Sequence, residues 1–160
     1  MTNLVEPSIY AFVAAILVWA AATDLKERRI PNIQPLLVCA LFGLLAFWQW
    51  GSGTSAMSAF VYPLITGILI FGLCLVLYAI GHMGGGDVKL IGAVALVAGP
   101  TLSLSFVLFV TIAGGFVALG SLVHSYVNSA SPTVSQVKVP YGVAIMAGGV
   151  WVCLQKIWLS

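Results

Sequence analysis

The sequence predicts an all-α, polytopic membrane protein with about six transmembrane helices, organised as a single domain over residues 1–160. The chain is 61% hydrophobic and only 6% charged, with a mean hydropathy of +1.13. Charged residues are absent from Ile30 through Gly86 and from Leu90 through Val137. Each stretch far exceeds the roughly 20 residues that one bilayer crossing requires, so each must fold back on itself. This composition excludes a soluble globular protein, and we expect lipid, not nucleic acid, around the chain.

Turn and charge signals separate the first three spans. The first is predicted from about Ile9 to Thr23, and it ends at the charged run that begins with Asp24. No Lys or Arg precedes this span and no small-residue cleavage pattern follows it, so we expect it to be retained and not removed as a signal peptide. A flexible polar loop from Gly51 to Ser55 separates the next two spans, which are predicted at about Pro35–Trp50 and Phe60–Ile80.

The remaining spans are divided by a proline break and a polar loop. The fourth is predicted from about Val88 to Ala98 and the fifth from about Leu102 to Val123, with Gly99-Pro100 between them. The longest polar stretch, Ser125 to Val139, is predicted as a loop before the sixth span at about Val143–Trp158.

The fourth span is short for a membrane crossing. About twelve residues from Asp87 to Ala98 cover roughly 18 Å of a hydrocarbon core about 30 Å thick. Either the helix continues beyond Pro100 with a kink, or Asp87 lies in a wet recess below the membrane surface. We favour the recess.

The distribution of basic residues predicts the orientation. One side of the predicted membrane carries Lys26, Arg28, Arg29, Lys89 and Lys138, whereas the other carries Lys156. By the positive-inside rule the first side is cytoplasmic. The rule therefore places Asp24 and Asp87 together at the cytoplasmic face of a cell's inner membrane.

Asp24 and Asp87 are the two aspartates of the chain, and each lies where an apolar stretch meets a polar loop. Each has an ordinary structural explanation: Asp87 follows a glycine turn and suits a helix N-cap, and Asp24 suits a span end balanced by Lys26 and Arg28. Their predicted position on one membrane face favours a catalytic pair instead.

A pair of nearby carboxylates can catalyse peptide hydrolysis. Like charges a few ångströms apart cannot both ionise easily, so the pair shares one proton. The ionised member can take a proton from a water that attacks a peptide carbonyl, while the protonated member hydrogen-bonds and then protonates the developing oxygen. This chemistry needs no metal and no cofactor.

The turn before Asp87 supplies further candidate site residues. Gly84 and Gly86 lack side chains and so permit a substrate backbone to approach closely. Lys89 either attracts a substrate carboxylate or anchors the fourth span. We therefore predict that Gly84, Gly86 and Lys89 belong to the active-site turn.

Other chemistries have weaker support in the sequence. The three cysteines, Cys39, Cys74 and Cys153, are isolated within predicted spans, which argues against a zinc knuckle or a disulfide framework. His82 and Asp87 offer two metal ligands without a third nearby. Ser125 follows His124, but the pair requires no more than a polar loop.

Two segments resemble the type IV prepilin peptidases and preflagellin peptidases, a family of membrane aspartyl proteases with a Gly-x-Gly-Asp motif. The second-aspartate motif of that family is similar to Gly84-Gly85-Gly86-Asp87-Val88-Lys89-Leu90, and its first-aspartate segment is similar to Asp24-Leu25-Lys26-Glu27-Arg28-Arg29-Ile30-Pro31-Asn32. Pro140-Tyr141-Gly142 also resembles a short segment before the last span. The resemblance implies that Asp24 and Asp87 are catalytic.

The resemblance also implies a substrate. Longer bacterial members carry an N-terminal cytoplasmic extension with paired cysteines and an N-methylation activity, neither of which this sequence shows. The chain therefore resembles the short, peptidase-only branch, associated with tight-adherence (Flp-type) pili in bacteria and with archaellum and pilus subunits in archaea. The implied partner is a prepilin-type signal peptide, a short basic leader before a hydrophobic helix, cleaved on the cytoplasmic side.

Three alternatives stay open at this point. Presenilin-like and signal-peptide-peptidase-like enzymes share the Gly-x-Gly-Asp element, but their first aspartate usually follows Tyr, whereas Thr23 precedes Asp24 here. A proton- or cation-coupled transporter would place carboxylates nearer the membrane midplane. A non-enzymatic pilus-assembly component would retain pilin processing when the aspartates are replaced.

Overall fold

The computed structural model describes residues 4–128 and 141–159, and the described residues are helical with no strand. Five helices are long and apolar enough to cross a membrane. In chain order they are α1 (Val5–Glu27), α2 (Ile33–Gly51), α3 (Tyr62–Ala79), α4 (Gly85–Asn128) and α5 (Tyr141–Leu159), and a short π-helical turn, Met57–Val61, leads into α3. The all-α membrane prediction is confirmed, and the predicted count of about six spans is close.

Helix α4 contains the two predicted spans on either side of Gly99-Pro100. Gly99 adopts φ 66° and ψ −175°, which is outside the helical region, and Pro100 has no N–H to continue the helix. The Ser103 hydroxyl donates to the carbonyls of both Gly99 (2.5 Å) and Ala95 (3.2 Å). Residues eight apart in a straight helix would be separated by about 12 Å. The chain therefore reverses at Gly99 into a first arm, residues 85–98, and a second arm, residues 100–128.

The contacts of α5 support the same reversal. A side chain at Gly148 would meet Val110 of the second arm, and one at the adjacent Gly149 would meet Val94 of the first arm. Val94 and Val110 thus lie at one level of the bundle, although sixteen positions separate them in sequence. Helix α5 packs against both arms of α4 and against α1, and small residues at these contacts let the helices approach closely.

The first arm is about fourteen residues long, or roughly 21 Å, and so is shorter than a bilayer core of about 30 Å. The kinked continuation past Pro100, one of the two alternatives for the short fourth span, is replaced by a reversal, because the positive φ of Gly99 turns the chain back. The recess at Asp87 stays a prediction.

The bundle has two chemically different ends. The aspartate end contains Asp24 in the last turns of α1 and Asp87 in the first turn of α4. The opposite end contains Glu6 and Gln49, whose side chains are 3.3 Å apart in a hydrogen bond. Lys156, in the last turn of α5, also lies there.

Two predicted boundaries change in the structure. Helix α1 extends to Glu27, so Asp24 lies inside the helix and not after it. Helix α4 continues to Asn128 and overlaps the start of the predicted Ser125–Val139 loop. The rest of that loop, with Lys138, and the Pro140 of the Pro-Tyr-Gly segment lie outside the described residues.

Candidate active site

Asp24 is held by a residue from the far end of the sequence. Its side chain is only 7% exposed, and its Oδ2 accepts a hydrogen bond of 2.8 Å from the backbone N–H of Gly142. Gly142 lies in the first turn of α5, where backbone N–H groups lack a partner within the helix and the positive end of the helix dipole favours an anion. The start of α5 thus fixes one oxygen of the Asp24 carboxylate.

The absence of a side chain at Gly142 makes this contact possible. A Cβ added there would lie 2.8 Å from both the Cβ and the Oδ2 of Asp24, which is shorter than normal atomic contacts allow. Any residue other than glycine would therefore push α5 away from Asp24.

The chain turns sharply just after Asp24. Arg28 adopts a left-handed conformation with φ 51°, and its N–H donates to the Asp24 carbonyl at 2.9 Å, which ends α1. Helix α2 begins at Ile33, and the Gln34 amide donates to Thr23 Oγ1 at 3.1 Å. The loop of residues 28–32 is thereby held beside the aspartate end of α1.

Asp87 is held locally. It is the third residue of α4, and the backbone N–H of Gly84 hydrogen-bonds its carboxylate. Val88 N–H in turn donates to the Gly84 carbonyl at 3.1 Å. This arrangement resembles a capping box, in which the third helical residue reaches back to the N-cap N–H. Gly84 is therefore the N-cap, and the N-cap interpretation of Asp87 is corrected to the third helical position.

Gly86 joins the two aspartate segments. A Cβ added at Gly86 would lie 2.9 Å from the Ile30 Cβ and 3.0 Å from the Ile30 carbonyl oxygen. The close approach that this glycine permits in the structure is that of the protein's own loop after α1. A contact of Gly84 or Gly86 with substrate stays a prediction.

The two carboxylates lie at the same end of the bundle, close enough for the charge of Asp24 to repel that of Asp87. Asp24 is buried and Asp87 is half-buried. Repulsion between two like charges disfavours the state in which both carboxylates are ionised. This pair can act as general acid and general base without another catalytic side chain.

Comparison with models of known protein families gives a match. A family model described as the type IV leader peptidase family matches residues 11–119, which is more than half of the chain and includes both aspartates. The chain belongs to the type IV leader peptidase family. The family supports the assignment of the chain as a protease of several membrane-spanning helices.

One curated relative is similar over part of its length. The chain is 38% identical over 87 residues to prepilin peptidase EppA of Methanocaldococcus jannaschii, and the match covers 54% of this chain and 22% of that protein. The chain thus spans about a fifth of the length of the relative that it matches. No solved structure shows a significant match to the peptidase.

Lys89 of the peptidase does not point to the aspartate pair. It is exposed, and its Nζ donates to Asn32 Oδ1 at 2.8 Å. Lys89 lies two residues after Asp87, which places it roughly 200° around the helix from that carboxylate. In the structure Lys89 links α4 to the loop after α1, and its contact with substrate stays a prediction.

Potential metal ligands are sparse in the described part of the peptidase. Within residues 4–128 and 141–159, no group of three or more His, Cys, Asp or Glu side chains is placed to hold a metal ion. The His82 Nδ1 lies 3.1 Å from the Ile80 carbonyl oxygen at the end of α3. The side chains of His124 and Ser125 lie outside the described part.

The role of Gly142 was missed by reasoning from sequence. The Pro140-Tyr141-Gly142 segment was noted for its resemblance to the family, but nothing local connects it with Asp24. A glycine in the first turn of a span could have indicated this role, because such a turn presents free N–H donors. The span must begin on the same side of the membrane as the aspartates.

Proposed function

We propose that the chain is a membrane aspartyl endopeptidase, formed by one peptidase domain, that removes the leader peptide of type IV prepilin-like proteins. The main observation behind this proposal is that Asp24 and Asp87 lie at the same end of the bundle. A backbone N–H is hydrogen-bonded to the carboxylate of each. Membership of the leader peptidase family supports the reaction class.

Each carboxylate keeps hydrogen-bonding positions free for acid–base catalysis in this arrangement. The N–H groups of Gly142 and Gly84 hold the two carboxylates, and each donor occupies one hydrogen-bonding position of a group that has several. The remaining positions can bind the attacking water and the substrate carbonyl oxygen. In this proposal the two aspartates share one proton, and no step requires that proton to be on a particular aspartate before the reaction starts.

The proposed substrate is a membrane protein with a prepilin-type signal peptide, of the tight-adherence (Flp) or archaellin type. The similarity to an archaeal prepilin peptidase supports this class. A polar leader suits the polar end of the bundle, and a hydrophobic segment suits the apolar helices beyond it.

We propose that the aspartate end faces the cytoplasm at the inner membrane. The exposed side chains of Lys26, Arg28, Arg29 and Lys89 lie at this end, and positive charge favours the cytoplasmic side. In a variant without the native cysteines, we expect a cysteine at Lys26 to react with an impermeant maleimide only after the cytoplasmic side is opened. A cysteine at Gly53 should react in intact cells, and the reverse pattern would contradict this orientation.

The catalytic roles are tested by Asp24→Asn and Asp87→Asn, which preserve size and remove the acid–base function. We expect each to lower cleavage of a co-expressed prepilin by at least about 1,000-fold, and the double variant to be no worse, because the two residues act as a unit. Membrane abundance of each variant, followed by immunoblot, is the control. Efficient cleavage by either variant would contradict the aspartyl mechanism and favour a non-enzymatic role in pilus assembly.

A further inference from the structure

An apolar cavity of about 350 Å³ extends from the aspartate end into the bundle. Its walls come from α3, from both arms of α4 and from the start of α5. Its apolar lining includes Leu73, Leu77, Ile91, Val107 and Val110. Leu73 is 61% exposed and Leu77 is 38% exposed, so the cavity opens on the lipid-facing side of α3. A membrane-embedded segment can therefore reach it laterally.

This cavity lies on the same side of α4 as Asp87. Ile91 lines it and follows Asp87 by four residues, roughly one helical turn, so the two share a helix face. Tyr141 and Met83 also line it. Each immediately precedes a glycine whose N–H holds an aspartate, Gly142 for Asp24 and Gly84 for Asp87. The cavity thus reaches the two turns that hold the aspartates.

A second cavity, of about 380 Å³, lies on the other side of the first arm. Lys89, Gly92 and Leu96 line it, together with residues of α2 and α3. On a helix with about 100° per residue these three positions lie roughly 140–200° from Asp87. A chain seated in the second cavity would have the first arm between itself and the Asp87 carboxylate.

The size of the first cavity limits its occupant. One turn of an α-helix, about 5.4 Å long and 10 Å across, occupies roughly 400 Å³. A volume of about 350 Å³ therefore suits about one turn of apolar side chains and not a whole membrane-spanning helix. Of the polar groups in its lining, His82 lies in the turn between α3 and α4, Tyr141 is the first residue of α5, and Thr111 belongs to the second arm.

We propose that this cavity binds the first apolar turn of the substrate, directly after the scissile bond. The proposal rests on the proposed function, because it takes the substrate to be a polar leader followed by a hydrophobic helix. The leader then extends away from the aspartate end, while the rest of the substrate helix stays in lipid beside α3. The cavity determines which peptide bond of the substrate is cleaved, because it accepts apolar side chains on one side of the aspartate pair only.

Two native cysteines provide the test. Cys74 lines the first cavity and Cys39 lines the second. Two enzymes are compared, both carrying Asp24→Asn to retain substrate: one keeps Cys74 (Cys39→Ala, Cys153→Ala) and the other keeps Cys39 (Cys74→Ala, Cys153→Ala). The probe is a co-expressed prepilin that carries one cysteine two to four residues after the scissile bond, and oxidation in membranes forms the disulfide.

We expect a disulfide to the Cys74 enzyme and none to the Cys39 enzyme. A disulfide to Cys39 alone, or equal yields with both, would overturn the proposal. The wild-type enzyme is assayed for cleavage of the same cysteine-bearing prepilin. Cleavage without any disulfide to Cys74 also overturns this inference while leaving the proposed function intact, whereas absence of cleavage contradicts the proposed function itself.

A cavity-filling variant gives an independent readout. A Cβ added at Gly115, which lines the cavity, would meet no atom within 4 Å, so Gly115→Leu can fill the space without a backbone clash. We expect it to raise KM about tenfold or more with a smaller change in kcat, because it removes an apolar binding site. Gly120→Leu on the same arm, also in open space but outside the cavity, is the matched control. Equal KM values for the two variants would overturn the proposal.

Discussion

The surroundings of Asp24 and Asp87 are built in opposite ways. Asp87 is bound by Gly84, three residues earlier, in a local arrangement at the start of a helix. Asp24 is bound by Gly142, 118 residues later, through the packing of the first helix against the last. The Asp87 geometry is therefore set by one turn of chain, whereas the Asp24 geometry depends on the assembly of the whole bundle.

The Gly142–Asp24 and Gly84–Asp87 contacts also differ in how readily the neighbouring atoms can move. A Cβ at Gly142 would meet the Cβ of Asp24, an atom fixed to the backbone of α1. A Cβ at Gly84 would meet the Oδ2 of Asp87 at 2.7 Å, and that oxygen can move by side-chain rotation. We therefore expect the peptidase to tolerate changes beside Asp87 better than changes beside Asp24.

Among the glycine substitutions beside the aspartates, the largest effect is expected for Gly142→Ala. The added methyl group pushes α5 from Asp24 and removes the 2.8 Å hydrogen bond to its carboxylate. Misplacement of a catalytic group by about 1 Å can cost roughly 100-fold in rate, so we expect a loss of cleavage of about that size. The measurement is the initial rate of prepilin cleavage in membranes at equal enzyme abundance.

Gly43→Ala in α2 is the matched control, because an added Cβ there meets nothing within 4 Å. It should change the rate little. A wild-type rate for Gly142→Ala would show that the Gly142 contact does not position Asp24 for cleavage. The proposed difference between the surroundings of the two aspartates would then be wrong.

An intermediate effect is expected for Gly86→Val. The added side chain meets both the side chain and the carbonyl oxygen of Ile30, so the loop after α1 must move away from α4. Overpacked contacts typically cost about 1–3 kcal/mol, and we expect a loss of cleavage of about tenfold or more. The same rate assay measures it.

The choice of control for Gly86→Val follows from the structure. Gly53 lies in the loop after α2, but its φ of 102° strains any other residue, so Gly53→Val would itself disturb a turn. Gly43→Val, in open space on α2, is better matched. Equal rates for Gly86→Val and Gly43→Val would show that the approach of the two aspartate segments is not limiting.

The smallest effect is expected for Gly84→Ala. The Gly84 N–H is retained, and only the Asp87 Oδ2 must move. Turning a side chain off its preferred rotamer costs of order 0.5–1.5 kcal/mol, which corresponds to a loss of about two- to tenfold. A loss larger than that of Gly142→Ala, in the same assay, would reverse the proposed ranking of the two sites.

The features that could be predicted from sequence are local or compositional. Charge-free stretches predicted the helical membrane bundle, and the glycine turn before Asp87 predicted a helix start at about Val88, three residues after Gly85, where α4 begins. The break at Gly99-Pro100 was also predicted. Two spans on either side of this break require the chain to turn back there, as it does at Gly99, although the short fourth span left a kinked continuation open as an alternative.

The features that were missed depend on residues distant in sequence. The approach of Gly142 to Asp24 and of Ile30 to Gly86 follows from helix packing, which no short pattern encodes. The end of α1 was misplaced for a different reason. Hydropathy falls at Asp24, but backbone hydrogen bonds continue the helix through Glu27 until Arg28 takes a left-handed conformation.

The hydrogen bond between Gly142 and Asp24 has a consequence for synthesis of the peptidase. Gly142 leaves the ribosome 118 residues after Asp24, a delay of roughly 6–24 s at about 5–20 residues per second. Asp87 has its local donor as soon as it is made, because Gly84 precedes it, but Asp24 has no donor from α5 during the whole interval. The aspartate pair is therefore completed only when the last helix joins the bundle, and until then the nascent chain lacks the hydrogen bond that holds Asp24.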